Sequence, residues 1–254
     1  MTEQSTIALI TGGNRGLGRS TAEHLAARGV DVVITYRSNV AEAEQVVDRM
    51  AELGRKAAAV RLDVAQIASF DAFADDLRRL LGEQWERADF DFLVNNAGIG
   101  NYVPFADTTE KDFDELLNVH FKGVFFLTQK LLPLIVDGGR IVNLSTGLTR
   151  FVGGPTAAYA SMKGAIEVLT RYLAAELGRR RITVNAVAPG PTGTDFGGGG
   201  LRDDEQTRAR LAAVTALGRV GEPDDIGGAI ASLLTGENSW ITGQRIEVSG
   251  GTRL

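Results

Sequence analysis

Ile7-Ala8-Leu9-Ile10-Thr11-Gly12-Gly13-Asn14-Arg15-Gly16-Leu17-Gly18 is the stretch that decides how this chain folds. Its first four residues are a short apolar run, suited to a strand buried on both faces. A G-x-x-x-G-x-G turn starting at Gly12 follows directly, and then a helical pattern with Ala22, Leu25 and Ala26 apolar and Arg28-Gly29 as its stop. Strand, glycine turn and helix in that order make a cradle for the pyrophosphate of a dinucleotide. The glycines let backbone approach the phosphates, and the helix N-terminus presents unpaired N–H groups with a partial positive charge. A glycine-rich turn alone is only punctuation; its two neighbours give it this meaning.

A second informative stretch is Tyr159-Ala160-Ser161-Met162-Lys163. Ala157, Ala158, Ala160 and Ala165 favour a helix, and Val168, Leu169, Tyr172 and Leu173 continue an apolar stripe at helical spacing. On a helix, residues four apart share a face, so the phenol and the ammonium converge on one point. A free phenol titrates near pH 10, and a neighbouring cation favours its ionised form. The pair is therefore expected to act as a tuned general acid/base once a cofactor site lies beside it.

The remaining sequence alternates apolar runs with helical patterns, the β-α-β rhythm of an α/β fold. Strands are expected at 30–35, 57–62, 90–94, 140–144, 182–187 and 245–248. Helices are expected at 40–53, 67–85, 110–135, 158–178 and 224–234. The strands are rich in Val, Ile and Leu, as in a parallel sheet covered on both faces. No linker, charge block or internal repeat divides the 254 residues, which are read as one domain spanning 1–254.

Composition narrows the partners. A formal net charge of −5 argues against nucleic acid or an anionic membrane. With no cysteine there is no disulfide framework, thiol nucleophile or cysteine metal site. The two histidines, His24 and His120, are too far apart in sequence to suggest a metal pair, so no metal is expected. The opening ten residues do not read as a signal peptide, and no run reaches the length of a membrane span. A cytoplasmic protein is expected.

Taken in order, Thr11 to Gly18, Asn95-Asn96-Ala97-Gly98, Tyr159-x-x-x-Lys163 and Pro189-Gly190 resemble the motif series of the short-chain dehydrogenase/reductase family. The resemblance runs from about residue 7 to 251. It implies a doubly wound, Rossmann-type α/β domain with a seven-stranded parallel sheet. It also implies hydride transfer between a nicotinamide cofactor and a small carbonyl or alcohol substrate, and a homo-oligomer, commonly a tetramer. By the same resemblance, Gly12, Asn14, Arg15, Gly16 and Leu17 cradle the cofactor, and Asp63 and Val64 meet the adenine. Asn95, Ala97 and Gly98 pack at the adenosine ribose, and Pro189, Gly190, Thr192 and Thr194 hold the nicotinamide carboxamide.

Cofactor choice has a physical handle. Proteins selecting NAD place an acidic side chain after the second strand to bind the ribose hydroxyls. Here that strand runs into Tyr36-Arg37-Ser38 with no carboxylate at its end. Arg37 is placed to meet a 2′-phosphate, Ser38 to add a hydroxyl and Arg15 a second positive charge. An arginine–phosphate contact of about 1.5–3 kcal/mol is worth tenfold or more in affinity, so NADP(H) is the expected cofactor.

The family's catalytic Asn-Ser-Tyr-Lys set is altered here. Tyr159 and Lys163 match it. Register places Thr146 where the serine stands, with Ser145 available through a local bulge. Neighbouring strand residues face opposite ways, so both hydroxyls cannot serve equally. His120 falls where the asparagine stands, and two readings stay open: an imidazole that keeps a water relay, or a helix-packing residue. In the mechanism this implies, Tyr159 protonates the substrate oxygen during ketone reduction, and Lys163 lowers the phenol pKa and also bonds the nicotinamide ribose, so that both residues lie at the cofactor. Thr146 hydrogen-bonds the oxygen. The segment 195–215, with four consecutive glycines at 197–200 and a charged helical stretch at 201–214, corresponds to the family's substrate lid. Phe151, Val152 and Phe196 suggest a partly apolar pocket, and Arg150 is free to meet an acidic group or solvent. The alternative to an enzyme is a non-catalytic NADP(H)-binding redox sensor or regulatory module, favoured by the altered Thr146 and His120.

Overall fold

The structure, a computed structural model, describes residues 5–254; of the opening segment read above, Met1–Gln4 lie outside the described residues. Seven strands form one parallel sheet: β1 (Ile7–Ile10), β2 (Asp31–Tyr36), β3 (Ala57–Arg61), β4 (Phe90–Asn95), β5 (Ile135–Leu144), β6 (Thr183–Pro189) and β7 (Arg245–Val248). Their spatial order is β3-β2-β1-β4-β5-β6-β7. The helices are α1 (Gly16–Ala26), α2 (Val40–Glu52), α3 (Phe70–Trp85), α4 (Glu110–Leu117), α5 (Gly123–Leu131), α6 (Ala157–Leu177), α7 (Gly200–Asp203), α8 (Glu205–Ala212) and α9 (Pro223–Thr235).

β1 explains why the apolar runs become strands: all four of its residues are completely buried. One sheet face packs Ile7 and Leu9 against Phe70, Leu77 and Leu81 of α3 and Leu127 and Leu131 of α5. The other packs Ala8 and Ile10 with Leu25 of α1, Val46 and Met50 of α2, and Ile226, Ile230 and Leu234 of α9. Each such side chain contributes about 1.5–3 kcal/mol through burial, which exceeds any local propensity. α1 and α9 meet at a glycine: a Cβ on Gly227 would lie 2.3 Å from the Ser20 hydroxyl.

Two stretches depart from the sequence expectation. The single helix expected at 110–135 is broken. α4, opened by a capping box between Thr109 and Asp112, gives way to a π-helical turn at Asn118–Lys122 before α5 resumes. Pro133, which lacks a backbone N–H, sits in a 3-10 turn at Leu132–Leu134, and β5 begins at once at Ile135. β5 thus starts ahead of the strand expected at 140–144 and runs through Asp137-Gly138-Gly139, which carry no apolar side chain to mark a strand. Here Gly138 takes φ +83 and the strand irregularity beside Phe90 absorbs it. The lid helix expected at 201–214 is likewise interrupted, because Asp204 leaves helical geometry and caps α8 by accepting from the Gln206 N–H at 3.0 Å.

From β1 the chain runs outward through β2 and β3, then crosses back to β4 on the other side. That reversal leaves a crevice at the carboxyl ends of β1 and β4, where open α/β sheets bind ligands. Among the described residues, no helix is long and apolar enough to cross a membrane, and no group of three His, Cys, Asp or Glu side chains could hold a metal.

Candidate active site

A cleft of about 910 Å³ opens at that crevice. Its floor is the glycine turn. Thr11 ties the turn to the end of β4: its hydroxyl oxygen accepts from the Asn96 and Ala97 N–H groups, both at 3.0 Å. The Asn96 amide donates back to the carbonyls of Thr11 and Gly12 at 2.9 and 3.0 Å. Gly12 (φ +62) and Gly16 (φ +53) have left-handed backbone, and a Cβ on Gly18 would sit 2.4 Å from the Gly12 carbonyl oxygen. Arg15 ends the turn as the N-cap of α1 without bonding its first turn, which also carries no acidic residue. The turn therefore fits a phosphate: uncapped N–H groups at a positive helix end, with close backbone approach.

Gly12, Asn14, Arg15, Gly16, Leu17, Arg37, Ser38, Asp63, Val64, Ala97, Gly98, Pro189, Gly190, Thr192 and Thr194 all line the cleft. Asn95 does not. Its amide is buried and donates to Thr128 Oγ1 at 3.0 Å and Asn143 Oδ1 at 2.8 Å, and Asn143 in turn donates to Thr170. Strand alternation turns Asn95 into the packing beneath the sheet and leaves Asn96 to face the turn. Arg37 and Ser38 are exposed at the cleft edge, and Arg37 makes no ion pair among the described residues. Arg15 is engaged across the cleft by Asp195 at 2.6 Å.

On the opposite wall, β5 and α6 bring Thr146, Tyr159 and Lys163 together. Thr146 is extended (φ −160) and its Oγ1 accepts from the Leu148 N–H at 3.3 Å. Ser145 points elsewhere, donating to Glu167 Oε1 at 2.6 Å, with no bulge to bring it round. Lys163 donates to the Leu144 carbonyl at 2.7 Å, and its Nζ lies 5.9 Å from the Tyr159 ring centre. Burial pushes the lysine down to about 7 from its ordinary 10.5. Burial also raises the Tyr159 phenol, with Tyr102 adding to the rise and the Thr146 hydroxyl opposing it. The expectation that Lys163 lowers the phenol pKa is thus not met in this geometry. The lysine is turned to the strand carbonyl, and desolvation governs both groups.

His120 sits within the π-helical turn and is buried, stacked edge-on against Tyr159 with ring centres 5.1 Å apart. Its Nε2 lies 2.7 Å from the Ile99 carbonyl, which can only accept, and 3.3 Å from the Ile99 N–H; in the tautomer that donates to the closer carbonyl, Nδ1 is bare, and it has no partner among the described residues. Burial and the charge of Lys163 hold this imidazole well below its ordinary pKa, against the Ile99 bond, so the ring is neutral.

The lid closes the remaining side. Phe196 packs on Tyr159 at 5.9 Å between ring centres, and a Cβ on Gly197 would lie 2.3 Å from Tyr102. Arg150 is not available to a ligand. It pairs doubly with Glu247 at 2.7 Å and donates to the carbonyls of Thr252 and Arg253. Sequence reasoning missed Tyr102, Glu167 and Arg245, which no motif marks and which only the fold brings to the site.

A sequence profile described as Enoyl-(Acyl carrier protein) reductase matches residues 12–253. The chain is 35% identical over 258 residues to the Hydroxynaphthalene reductase-like protein Arp2 of Metarhizium brunneum, covering 97% of this chain and 94% of that protein. A solved structure of the promiscuous reductase LugOII, which catalyses keto-reduction at C1 during lugdunomycin biosynthesis, is 36% identical. It superposes with a TM-score of 0.93 over 100% of both chains. The angucycline C-6 ketoreductase LanV with bound NADP is 36% identical with a TM-score of 0.92, covering 98% of this chain and 96% of that one.

Proposed function

The chain belongs to the short-chain dehydrogenase/reductase family, and from that premise we propose that it is an NADP(H)-dependent carbonyl reductase with Tyr159 as general acid/base. The observation that carries this reading is the meeting of Thr146, Tyr159 and Lys163 on one wall of a cleft whose floor is the glycine turn. Gly12, Asn14, Gly16 and Leu17 would hold the pyrophosphate, and Arg37 and Ser38 the 2′-phosphate, with Arg15 adding a second positive charge there. Asp63 and Val64 would meet the adenine, Ala97 and Gly98 the ribose, and Pro189, Gly190, Thr192 and Thr194 the carboxamide. When bound, the dinucleotide supplies the hydride.

The chain's own residues orient and protonate. Burial keeps the Tyr159 phenol protonated at neutral pH, the form that donates to a carbonyl oxygen gaining charge. The Thr146 oxygen already accepts from Leu148, which leaves the hydroxyl proton to bond the same substrate oxygen. Lys163, pushed down to about 7, is partly charged at neutral pH and would pass a proton taken up from solvent to the Tyr159 phenolate left after each turnover. His120, neutral and edge-on to the phenol ring, fixes that ring in place and adds no charge.

The substrate we propose is a fused-ring aromatic ketone. Tyr102, Phe151 and Phe196 line the cleft around Tyr159, and flat rings stack on such walls. A homotetramer belongs to the same proposal, supported by Phe125, Val168 and Tyr172, which leave apolar surface exposed on α5 and α6.

The test is loss of dihydronicotinamide absorbance from NADPH and NADH with a panel of polycyclic ketones, run beside Tyr159→Phe. Turnover should favour NADPH by about tenfold or more. The variant should lose about 10²–10⁴-fold in kcat while binding NADPH normally. Turnover that survives in the variant refutes the assignment of Tyr159. Tight NADPH binding with no turnover in either protein would favour the regulatory module.

A further inference from the structure

The segment 145–149, which carries Thr146 from β5 into the site, is anchored to a single carboxylate oxygen from both ends. Ser145 Oγ donates to Glu167 Oε1 at 2.6 Å, and Thr149 Oγ1 donates to the same atom at 2.7 Å. Thr149 also lies 2.9 Å from the Thr146 carbonyl. A hydroxyl has one proton, and the nearer, charged acceptor takes it. Arg245 supplies what is left. Its Nε donates to Glu167 Oε1 at 2.8 Å, its Nη2 to the Thr146 carbonyl at 3.2 Å, and its Nη1 to Glu247 at 3.0 Å. The side chains of Glu167 and Arg245 are 15% and 21% exposed, so water cannot readily replace these bonds.

We infer that Glu167 and Arg245 are positioning residues that aim the Thr146 hydroxyl at the substrate oxygen. The inference rests on the role of Thr146 proposed above. Glu167, on α6, stands two turns from the end that bears Tyr159 and one turn from Lys163, so one helix places both the acid and the support of its neighbouring donor. The pair is internally neutral, and it touches neither the cofactor-binding turn nor the space above Tyr159. It acts through the backbone of residues 145–149. Geometry at this level is catalytically sensitive, since a shift of about 1 Å in a positioned group can cost 10²-fold in rate.

The experiment is a double-mutant cycle of Glu167 with Thr146, reading kcat and KM separately together with NADPH binding and the melting temperature. Glu167→Ala is expected to lower kcat about tenfold with NADPH binding within about twofold. Glu167→Gln, which keeps a carbonyl oxygen for the three donors, should recover most of that loss, and it serves if the alanine variant does not fold. In a Thr146→Val background, removing Glu167 should cost nothing further in kcat, because the group it aims is gone. Losses that multiply would overturn the inference while leaving Thr146 in its role. An unchanged kcat in Thr146→Val would refute the role of Thr146 and the inference with it.

Discussion

Two glycine-rich segments face each other across the cleft and use the same residue for opposite purposes. In the turn at 12–18, glycine is required by crowding: a Cβ on Gly13 would lie 2.6 Å from Ile34, and one on Gly18 would meet the Gly12 carbonyl oxygen and the Asn96 amide at 2.4 and 2.5 Å. In the run at 197–200, Gly198 and Gly200 have nothing within 4 Å of a Cβ, while Gly197 is pressed against Tyr102 and Gly199 meets only the side-chain ends of Asp203 and Arg202, at 2.9 and 3.3 Å. The first segment is rigid because neighbours fill its space. The second is looser because two of its four positions face open space and the neighbours at the other two are side chains, which can move. The catalytic wall belongs with the first, since Thr146 and Lys163 are buried and the half-buried Tyr159 packs on buried His120, whereas α7 and α8 bury no residue fully. Changes in the rigid half should therefore register in stability, and changes in the lid chiefly in rate.

The sharpest way to break this contrast is Gly18→Ala. Its collision is with backbone, which cannot yield cheaply, so a loss of roughly 3 kcal/mol and a fall in melting temperature of about 6–12 °C are expected. A melt close to wild type would mean the turn is not tightly packed. Next in size is the buried lysine. Its folded value near 7 lies below the ordinary 10.5, so between those pH values the unfolded chain binds more protons and stability rises with pH. Over the first part of that window, from about pH 7 to about pH 8.5, the rise should be roughly 1–2 kcal/mol or about 2–8 °C in wild-type melts, and it should vanish in Lys163→Met. Equal slopes in both proteins would move the titration to another group. The smallest effect belongs to the lid. Gly200→Ala adds a methyl in open space at a helix start, so it should stabilise by about 0.4–1 kcal/mol through the unfolded chain. If lid opening limits turnover, kcat should fall by about two- to threefold in stopped-flow assays. A destabilised Gly200→Ala would place the lid with the rigid half.

What the sequence made legible follows the same division. Strands buried on both faces announce themselves as Val/Ile runs, and the alternation of strand faces separates Thr146 from Ser145 before any coordinates are known. The tetrapeptide 95–98 was harder, because the family pattern points at Asn95 while the pleat turns Asn96 toward the glycine turn. The π-helical turn at Asn118–Lys122 left no mark, since an extra residue in a helix changes no residue type. Arg150 read as free because its partners, Glu247 and the tail carbonyls, lie about a hundred residues away. Glu167 and Arg245 escaped for the same reason: long-range charge pairs have no local spacing. The Tyr159 phenol was read from its charged neighbour alone, because burial is a property of the folded chain and cannot be counted from neighbours in sequence.

The position of β1 has a further consequence, for how the protein comes to be made. Of the seven strands, the first to leave the ribosome is one that ends inside the sheet, flanked by β2 on one side and β4 on the other. Asn96, whose amide clamps Thr11 and Gly12, is 85 residues downstream of Thr11. The nascent chain must therefore carry an incomplete nucleotide pocket until the fourth strand emerges and docks. Such long-range parallel pairing is intrinsically slow. Until it occurs, one edge of β1 is open, and its four apolar residues are the part of the newborn chain most in need of shielding.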